Sequence, residues 1–549
     1  MRISWLTVAV LLVALVSGCM TGPEYKKPEF PVPGKWSESL EGGEKDSSPN
    51  LVHWWSEFSD ATLESLVTRA TQSNFDLRIA ESRIREARAS LQMTQADLWP
   101  QLNTAGSYKR TQSTRSPSAS GADGKPGVST TLSQQGVTVT ATPAGATGPS
   151  ITFVPDLSGG GNSRLTVASS AGASSGKAKR QGDLFQAGFD ASWEIDVFGG
   201  ARRAKEAAKA DVEAAEENRR SVLITLVAEI ARNYFELRET QNRLDIARRN
   251  IRILQDSLDL VRSLFEAGWT NELDVKTAEA LLATTQSLAP TMEFAVRRSM
   301  HRLGVLLGHE PGTLQDELSP AAPLPSAPPE VLVGLPSELL RRRPDVRYAE
   351  RTLAAATARI GVATADLFPK FSLTGSFGGS SDTFEGLRLG ANHRWSFGPE
   401  IRWPIFDAGR IRANIRVQNA RQEQALLAYE KAVMISLEDV ENALVMYAKE
   451  QNRLADLATA VEANHKALDI ANDLYAQGLV NFLNVLDAER SLFAAEDQLI
   501  QSKATILTNL VSLYKVLGGG WEAPTASAAL AAEEANVNRF GTYDDQSKH

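Results

Sequence analysis

Residues Leu184 to Val197 alternate apolar and polar side chains and then lead directly into a charged, helix-forming segment. The apolar side of this predicted strand consists of Phe185, Ala187, Phe189, Ala191, Trp193, Ile195 and Val197. The polar side carries Gln186, Asp190, Ser192, Glu194 and Asp196. Because successive side chains of a strand point to opposite faces of a sheet, this strand needs an apolar medium on one face and water on the other. A membrane-spanning sheet with a polar interior meets both requirements.

The chain is a tandem duplication. Four pairs of segments match in the same order, and they begin at Asn74 and Arg343, at Ala96 and Ala365, at Val197 and Ile405, and at Leu264 and Leu474. The side-chain pattern of each copy predicts the same elements: a helix, a short strand, a loop, a second alternating strand, a very long helix, a glycine turn and a returning helix. The second alternating strand of the later copy has Trp395, Phe397, Ile401, Trp403 and Ile405 on its apolar side.

These patterns divide the chain into segments. The first repeat is predicted over residues 61–308, with strands at about 101–110 and 184–198, a helical hairpin at about 201–307 and a loop at about 111–182. The second repeat is predicted over residues 336–518, with strands at about 371–379 and 394–406 and a hairpin at about 409–516. An N-terminal segment (19–60), a linker between the repeats (309–335) and a C-terminal tail (519–549) complete the chain.

Both long helices show coiled-coil spacing. In the first copy apolar or glutamine positions step by threes and fours, and run through Val227, Ile230, Tyr234, Leu237, Gln241, Leu244, Ala247, Ile251, Leu254, Leu258, Val261 and Phe265. The second copy repeats this spacing through Leu437, Val440, Leu444, Tyr447, Gln451, Leu454, Leu457, Val461, Asn464, Leu468, Ala471 and Tyr475. Each helix would run for roughly 65 residues, or about 100 Å. A fibrous dimer or a spectrin-like rod is the alternative, but it leaves the two-faced strands without a purpose.

The number of strands in one chain indicates how many chains are needed to close a barrel. Unpaired strand edges are costly in hydrocarbon, so a membrane-spanning sheet must close on itself. Four strands are predicted per chain, whereas the smallest outer-membrane barrels use about eight. Three chains of four strands would give about twelve, so a trimer is expected. Gly199-Gly200 and Ala408-Gly409 would let the backbone turn from strand into helix.

The N-terminal sequence indicates that the protein is exported from the cytoplasm. An apolar run from Trp5 to Val16 is too short to span a membrane as a helix, follows Arg2 and precedes "VSGC", which together indicate a signal peptide over residues 1–18. Cys19 is the only cysteine, which excludes a disulfide within the chain. It is either an incidental small residue or the start of the mature protein.

Composition and motifs exclude several functions. The net charge is −8 and the mean hydropathy −0.22, so there is no basic bias toward nucleic acid. The six histidines have no metal-ligand spacing, and HExxH, P-loop and GxSxG motifs are absent from the sequence, so we expect no catalysis and no metal. Residues 111–182 are rich in Ser, Thr, Gly and Pro with a single aromatic, Phe153, and are predicted to form an extracellular loop without enough apolar surface to order itself.

Several motifs together resemble the TolC-like outer-membrane efflux proteins, in particular the lipoprotein branch that serves resistance-nodulation-division pumps. They are "CMTGPEYKKP" at Cys19, "WWSEFSDATLESLV" at Trp54, "LPSELLRRRPDVRYAE" at Leu335, "IFDAGR" at Ile405 and "NVLDAERSLFAAEDQLI" at Asn484. The resemblance implies a mixed α and β fold: a homotrimer with a twelve-stranded barrel in the outer membrane and a helical tunnel across the periplasm. It further implies a periplasmic adaptor and an inner-membrane pump as partners, and a lipid (palmitate class) attached to Cys19. Met20 departs from the aspartate that retains lipoproteins at the inner membrane.

The same resemblance implies roles for individual residues. Asp487 matches an acidic ring at the closed tunnel tip, and Leu483 an apolar ring, although Asn484 replaces a second aspartate found in other members. Tyr475 and Asp274 match residues that link neighbouring hairpins and hold the aperture shut. Asp487 is otherwise a solvated helix carboxylate, and Tyr475 a residue of the coiled-coil seam.

Gly268 and Gly478 end the long helices at equivalent places, which predicts two hairpin turns. The resemblance adds that both turns face the adaptor.

Two functions follow for the whole chain: a passive, gated exit duct for drugs or other small solutes, or a structural coiled-coil lipoprotein that conducts nothing. The alternating strands favour the duct, because an adaptor has no need for tryptophans on a lipid-facing side.

Overall fold

A computed structural model describes residues 20–37, 44–45, 53–112, 127–133, 136–142, 150–154, 164–168, 181–327, 331–332, 341–387 and 393–521. The predicted signal peptide, Cys19 and most of the C-terminal tail lie outside these residues. The chain forms two compact units. The first comprises residues 1–99, 194–371 and 401–549, and the second residues 100–193 and 372–400.

The first unit is helical. Its helices are α1 (Ala61–Ser73), α2 (Phe75–Ala96), α3 (Gly200–Glu266), α4 (Glu272–Leu306), α5 (Gln315–Leu318), α6 (Pro344–Ala365), α7 (Arg410–Ala476) and α8 (Phe482–Val516), preceded by a 3₁₀ helix at Trp54–Phe58. Helices α3 and α7 have 67 residues each, and α4 and α8 have 35 each, which confirms the duplication and both predicted hairpins. No helix in the described segments is both long enough and apolar enough to cross a membrane.

The long helices begin directly after the glycines at which the sequence predicted a turn from strand to helix. Gly199 and Gly409 occupy the residue before α3 and α7 with φ values of 78° and 84°, a left-handed conformation that glycine adopts without strain. Asp407 stabilises the start of α7, because its carboxylate accepts hydrogen bonds from the amides of Gly409 and Ile411 at 2.9 and 2.7 Å. The chain therefore changes direction at the same place in both copies.

The coiled-coil seams are buried to different extents. In α3 the predicted seam is buried from Val227 to Val261 except for the half-buried Ile251. In α7 Val440, Leu444 and Tyr447 are buried, but every predicted seam position from Gln451 to Tyr475 is only half-buried. A helix of this length must cover its apolar stripe, so the α7 stripe is incompletely covered within one chain.

The main hydrophobic core lies where the two repeats meet. It joins the 3₁₀ helix and α1 to the middle of α3, the end of α4, the middle of α7 and the end of α8, with Trp54, Phe58, Tyr234, Phe235 and Tyr447 among its fully buried side chains. Tyr234 also donates a hydrogen bond of 2.7 Å to Asp60, which caps α1. Residues far apart in sequence thus share one core.

The second unit contains the predicted membrane sheet. Short strands β1 (Glu44–Lys45) and β8 (Val331–Leu332) pair elsewhere, while β2 (Gln101–Gln112), β7 (Gln181–Ile195), β9 (Lys370–Ser381) and β10 (His393–Arg402) form one four-stranded sheet in the order β10-β9-β7-β2. Strands β2 and β7 are antiparallel, with Leu102 opposite Ala191 and Tyr108 opposite Phe185. Four strands per chain are confirmed, and among the described residues β2 and β10 are edge strands.

Two predicted strand ends differ from the structure, and residues 111–182 contain strands that were not predicted. Strand β7 ends at Ile195 rather than near residue 198, and β10 ends at Arg402 rather than near residue 406, because a turn begins at Val197 and Pro404 has no amide hydrogen to donate. The described residues of the segment 111–182 are ordered. They include β3 (Gly127–Ser133), β4 (Gly136–Thr142), β5 (Ser150–Val154) and β6 (Arg164–Ala168), which form a second antiparallel sheet. Backbone pairing between Thr- and Val-rich strands does not require the apolar core that the composition argument demanded.

Candidate aperture at the hairpin tips

Both hairpins turn through the same backbone motif. Gly268 has φ 75° and donates to Phe265 O at 2.9 Å, while the next amide, of Trp269, donates to Leu264 O at 2.9 Å. In the second copy Gly478 has φ 69° and repeats both bonds at 2.8 and 2.9 Å. These are Schellman caps with glycine in the left-handed position. The prediction that both glycines end the long helices is confirmed.

Asp274 is held by its own turn. Asn271 caps α4 by accepting a hydrogen bond of 3.1 Å from the Asp274 amide. The Thr270 hydroxyl donates a short hydrogen bond to the Asp274 carboxylate. Sequence reasoning named Asp274 but missed Thr270, although its four-residue spacing from Asp274 allows two side chains in one turn to meet. The turn therefore fixes the orientation of this carboxylate.

An apolar cluster joins the two hairpins near their tips. It draws on α3, α4 and α8 and consists of Leu254, Leu258, Val261, Val275, Ala278, Leu282, Phe482, Val485 and Leu486. Tyr475 of α7 packs against it, with its ring centroid 5.3 Å from that of Phe482. Burial and the nearby Asp274 carboxylate both raise the pKa of Tyr475, so its hydroxyl stays protonated and can donate a hydrogen bond. Tyr475 and Asp274 are thus brought into one electrostatic environment.

Leu483 and Asp487 lie one turn apart on α8 and are both exposed. The Asp487 side chain is 62% exposed and accepts a hydrogen bond of 2.6 Å from Arg490. An exposed pair of this kind contributes little to stability, so the structure of one chain gives Asp487 no packing role. Sequence analysis missed Arg490, which the three-residue spacing on a helix would have indicated.

The tips offer no metal site. Across the described segments, no group of three or more histidine, cysteine or acidic side chains could hold a metal ion. The side chains at the tips offer apolar contact, hydrogen bonding and charge, supplied by Leu483, Tyr475, Asp274 and Asp487.

Comparison with known proteins gives a consistent result. The family described as "Outer membrane efflux protein" matches residues 131–309 and 335–519. Nodulation protein T of Rhizobium leguminosarum bv. trifolii is 31% identical over 520 residues, which cover 94% of this chain and 97% of that protein. Cation efflux system protein CusC of Escherichia coli O6:H1 is 30% identical over 509 residues, covering 92% and 97%. The solved structure of the outer-membrane channel OprN superposes with a TM-score of 0.74 at 33% identity, covering 92% of this chain and 100% of that chain.

Proposed function

Because this chain belongs to the outer membrane efflux protein family and is therefore an outer-membrane channel component of an efflux system, we propose that its hairpin tips form the gate of a passive exit duct. Members of the family act as trimers that combine a β-barrel with a helical tunnel and work with adaptor and pump partners. The observation that supports the duct function is the four-stranded sheet with one apolar side, which a rod-like structural protein would not need. Purified protein reconstituted in a planar bilayer should conduct ions, and a trimer that never conducts would favour the structural alternative.

We further propose which helices meet between neighbouring chains. In the helical unit α3 packs along both α2 and α6, whereas α7 packs along α6 and not along α2. By the duplication α7 corresponds to α3, yet it exposes apolar side chains where α3 is buried: Val417 for Ala207, Leu427 for Glu217, and Met434 for Ile224. Helix α2 of the next chain would cover this surface of α7, just as α6 covers α3 within one chain. This contact between chains would close the ring of helices.

The duplication also gives the register of this contact. Arg351 of α6 bonds Glu213 of α3 at 3.2 Å, and the corresponding residues are Ser82 of α2 and Glu423 of α7, both exposed. A Ser82→Cys, Glu423→Cys double variant should therefore be joined between chains by a bifunctional maleimide whose spacer is as long as an arginine–glutamate pair. Cys19 stays in place because the proposed lipid blocks its thiol, and cross-linking should yield a covalent trimer on a denaturing gel.

The matched control places both cysteines within one chain. Arg351→Cys with Glu213→Cys should be joined by the same cross-linker within one chain, which leaves the mass on the gel monomeric and protects both thiols from later labelling. A Ser82–Glu423 variant that stays monomeric under the same treatment, while the control pair becomes protected, would contradict the proposed contact.

At the gate, we propose that three copies of Asp487 line the aperture beside Leu483, and that Tyr475 and Asp274 restrain it until the two hairpins of each chain separate on adaptor docking. Gly268 and Gly478 present the turns that the adaptor contacts. The exposure of Asp487 and Leu483 supports a lining role, because neither side chain is needed for packing within the chain.

Replacing Asp487 with alanine should lower cation selectivity, because three negative charges leave the narrowest part of the duct. The measurement is the reversal potential in a planar bilayer across a potassium chloride gradient. Asp487→Glu keeps the charge and should stay close to the wild type. If both variants match the wild type, Asp487 does not line the aperture.

Two further assignments complete the proposal. A lipid on Cys19 would anchor the mature N-terminus in the outer membrane, and it is detectable as the mass of the N-terminal peptide. The transported cargo is selected by the pump rather than by this chain, so drugs and other small solutes share the duct. The different names of its relatives, a nodulation protein and a cation efflux protein, support a duct that is not built around one solute.

A further inference from the structure

Glu489 is a buried carboxyl group at the junction of the two hairpins. It lies on α8, is 7% exposed and accepts a hydrogen bond of 3.2 Å from the hydroxyl of Ser257 on α3. Its second oxygen, Oε2, is shielded from solvent and has no hydrogen-bond partner in the described part of the chain. The neighbouring turns of both helices belong to the apolar tip cluster, with Leu254 and Leu258 beside Ser257 and Val485 and Leu486 before Glu489. An ionised carboxylate in such a place is costly.

The charged groups around this position are engaged elsewhere. On α8, Arg490 pairs with Asp487 at 2.6 Å, and on α3, Arg262 pairs with Asp259 at 3.7 Å and with Glu279 of α4 at 2.8 Å. Further acidic and basic side chains on the packed helices are exposed or turned to other partners, namely Arg252, Asp256, Asp469, Asp473 and the pair His465–Glu496. Burial raises the pKa of Glu489 and the Ser257 hydrogen bond opposes this only in part, while no neighbouring charge contributes.

We propose that Glu489 is a positioning residue of the gate: in its protonated form it latches α8 to α3, and its ionisation favours separation of the hairpins. This inference rests on the proposed gate and names a residue and a controlling proton that the family resemblance did not assign. The protonated carboxyl would accept the Ser257 hydrogen bond through Oε1 and carry its proton on Oε2, so that no net charge is buried in the apolar surroundings. Separation would expose the group to water, where it ionises.

The direction of the pH effect follows from linkage. The packed state binds the Glu489 proton more tightly than the separated state, because burial raises the pKa only in the packed state. Packing is therefore unaffected well below the ordinary carboxyl pKa of about 4.3, and is progressively disfavoured as the pH rises from there to the raised value. One proton can change the ratio of separated to packed hairpins by at most about tenfold per pH unit. Opening should thus become more frequent at higher pH.

Glu489→Gln is the sharpest test, because glutamine keeps the shape and the hydrogen-bond acceptor but cannot ionise. The open probability of the reconstituted wild-type trimer should rise as the pH increases above the ordinary carboxyl pKa of about 4.3, whereas the variant should stay mostly closed with a flat profile. Infrared difference spectra over the same titration should show a protonated carboxyl band that the variant lacks. Glu462→Gln, on the exposed side of α7, is the matched control and should keep the wild-type profile.

Ser257→Ala separates the hydrogen bond from the charge. It removes the hydrogen-bond partner that Glu489 has among the described residues, and should raise the open probability at low pH while the pH dependence remains. A wild-type profile in Glu489→Gln, or equal flattening in Glu462→Gln, would overturn the latch while leaving the duct intact. A trimer that conducts at no pH would instead contradict the proposed function itself.

Discussion

Trp54→Ala should lower the free energy of unfolding by about 3–5 kcal/mol, the range measured for truncating a fully buried aromatic side chain. Trp54 is 1% exposed and stacks on Tyr514 of α8, with ring centroids 5.3 Å apart and planes 20° apart. It also makes edge contacts with Trp55 and Phe58 at 5.9 and 6.1 Å. Its ring therefore joins the N-terminal 3₁₀ helix to α8, and its loss leaves a cavity in the main core.

The measurement is denaturant unfolding of the detergent-solubilised trimer by circular dichroism, at a fixed protein concentration because assembly contributes to stability. Trp269→Ala is the matched control. Trp269 follows the first tip glycine and is 83% exposed, so the same truncation should change the free energy by no more than about 0.5 kcal/mol. Equal effects of the two substitutions would contradict the assignment of Trp54 to the core.

Arg343→Ala should lower the free energy of unfolding by about 2–3 kcal/mol, below the range for a fully buried ion pair because its acidic partners are part-exposed. Arg343 is 7% exposed and binds Asp345 through two nitrogen atoms, at 3.0 and 2.6 Å. It also binds Asp439 of α7 at 2.9 Å and approaches the carbonyl oxygens of Ser436 and Val516 at 3.4 Å. One guanidinium thus connects the start of α6 to α7 and to the end of α8.

Arg359→Ala provides the comparison on the same helix. Arg359 pairs with Asp211 at 2.5 Å, but both side chains are more than 40% exposed, at 44% and 43%. Such a surface pair contributes about 0–1 kcal/mol, so this variant should unfold close to the wild type. If Arg359→Ala proves as damaging as Arg343→Ala, burial of Arg343 is not the source of its effect.

Most of the proposed gate was reachable from the sequence, but the buried contact that we propose as its latch was not. Gly268, Gly478, Leu483 and Asp487 stand in local patterns or motifs that can be read along the chain. Ser257 and Glu489 are 232 residues apart, and each belongs to an unremarkable helical stretch. Only the packing of α3 against α8 makes their contact visible, because burial depends on which helices become neighbours.

The sequence by itself determined the elements of this protein: two copies of a strand-to-helix unit, four two-faced strands, two helices of 67 residues and the glycines that turn them. These features follow from side-chain periodicity and backbone conformation, which act over a few residues at a time. The tertiary structure alone decided that Arg343, Trp54 and Glu489 are buried and which partners they have. It also revealed the second sheet within residues 111–182, because hydrogen bonding between strands is a relation between segments that local composition does not record.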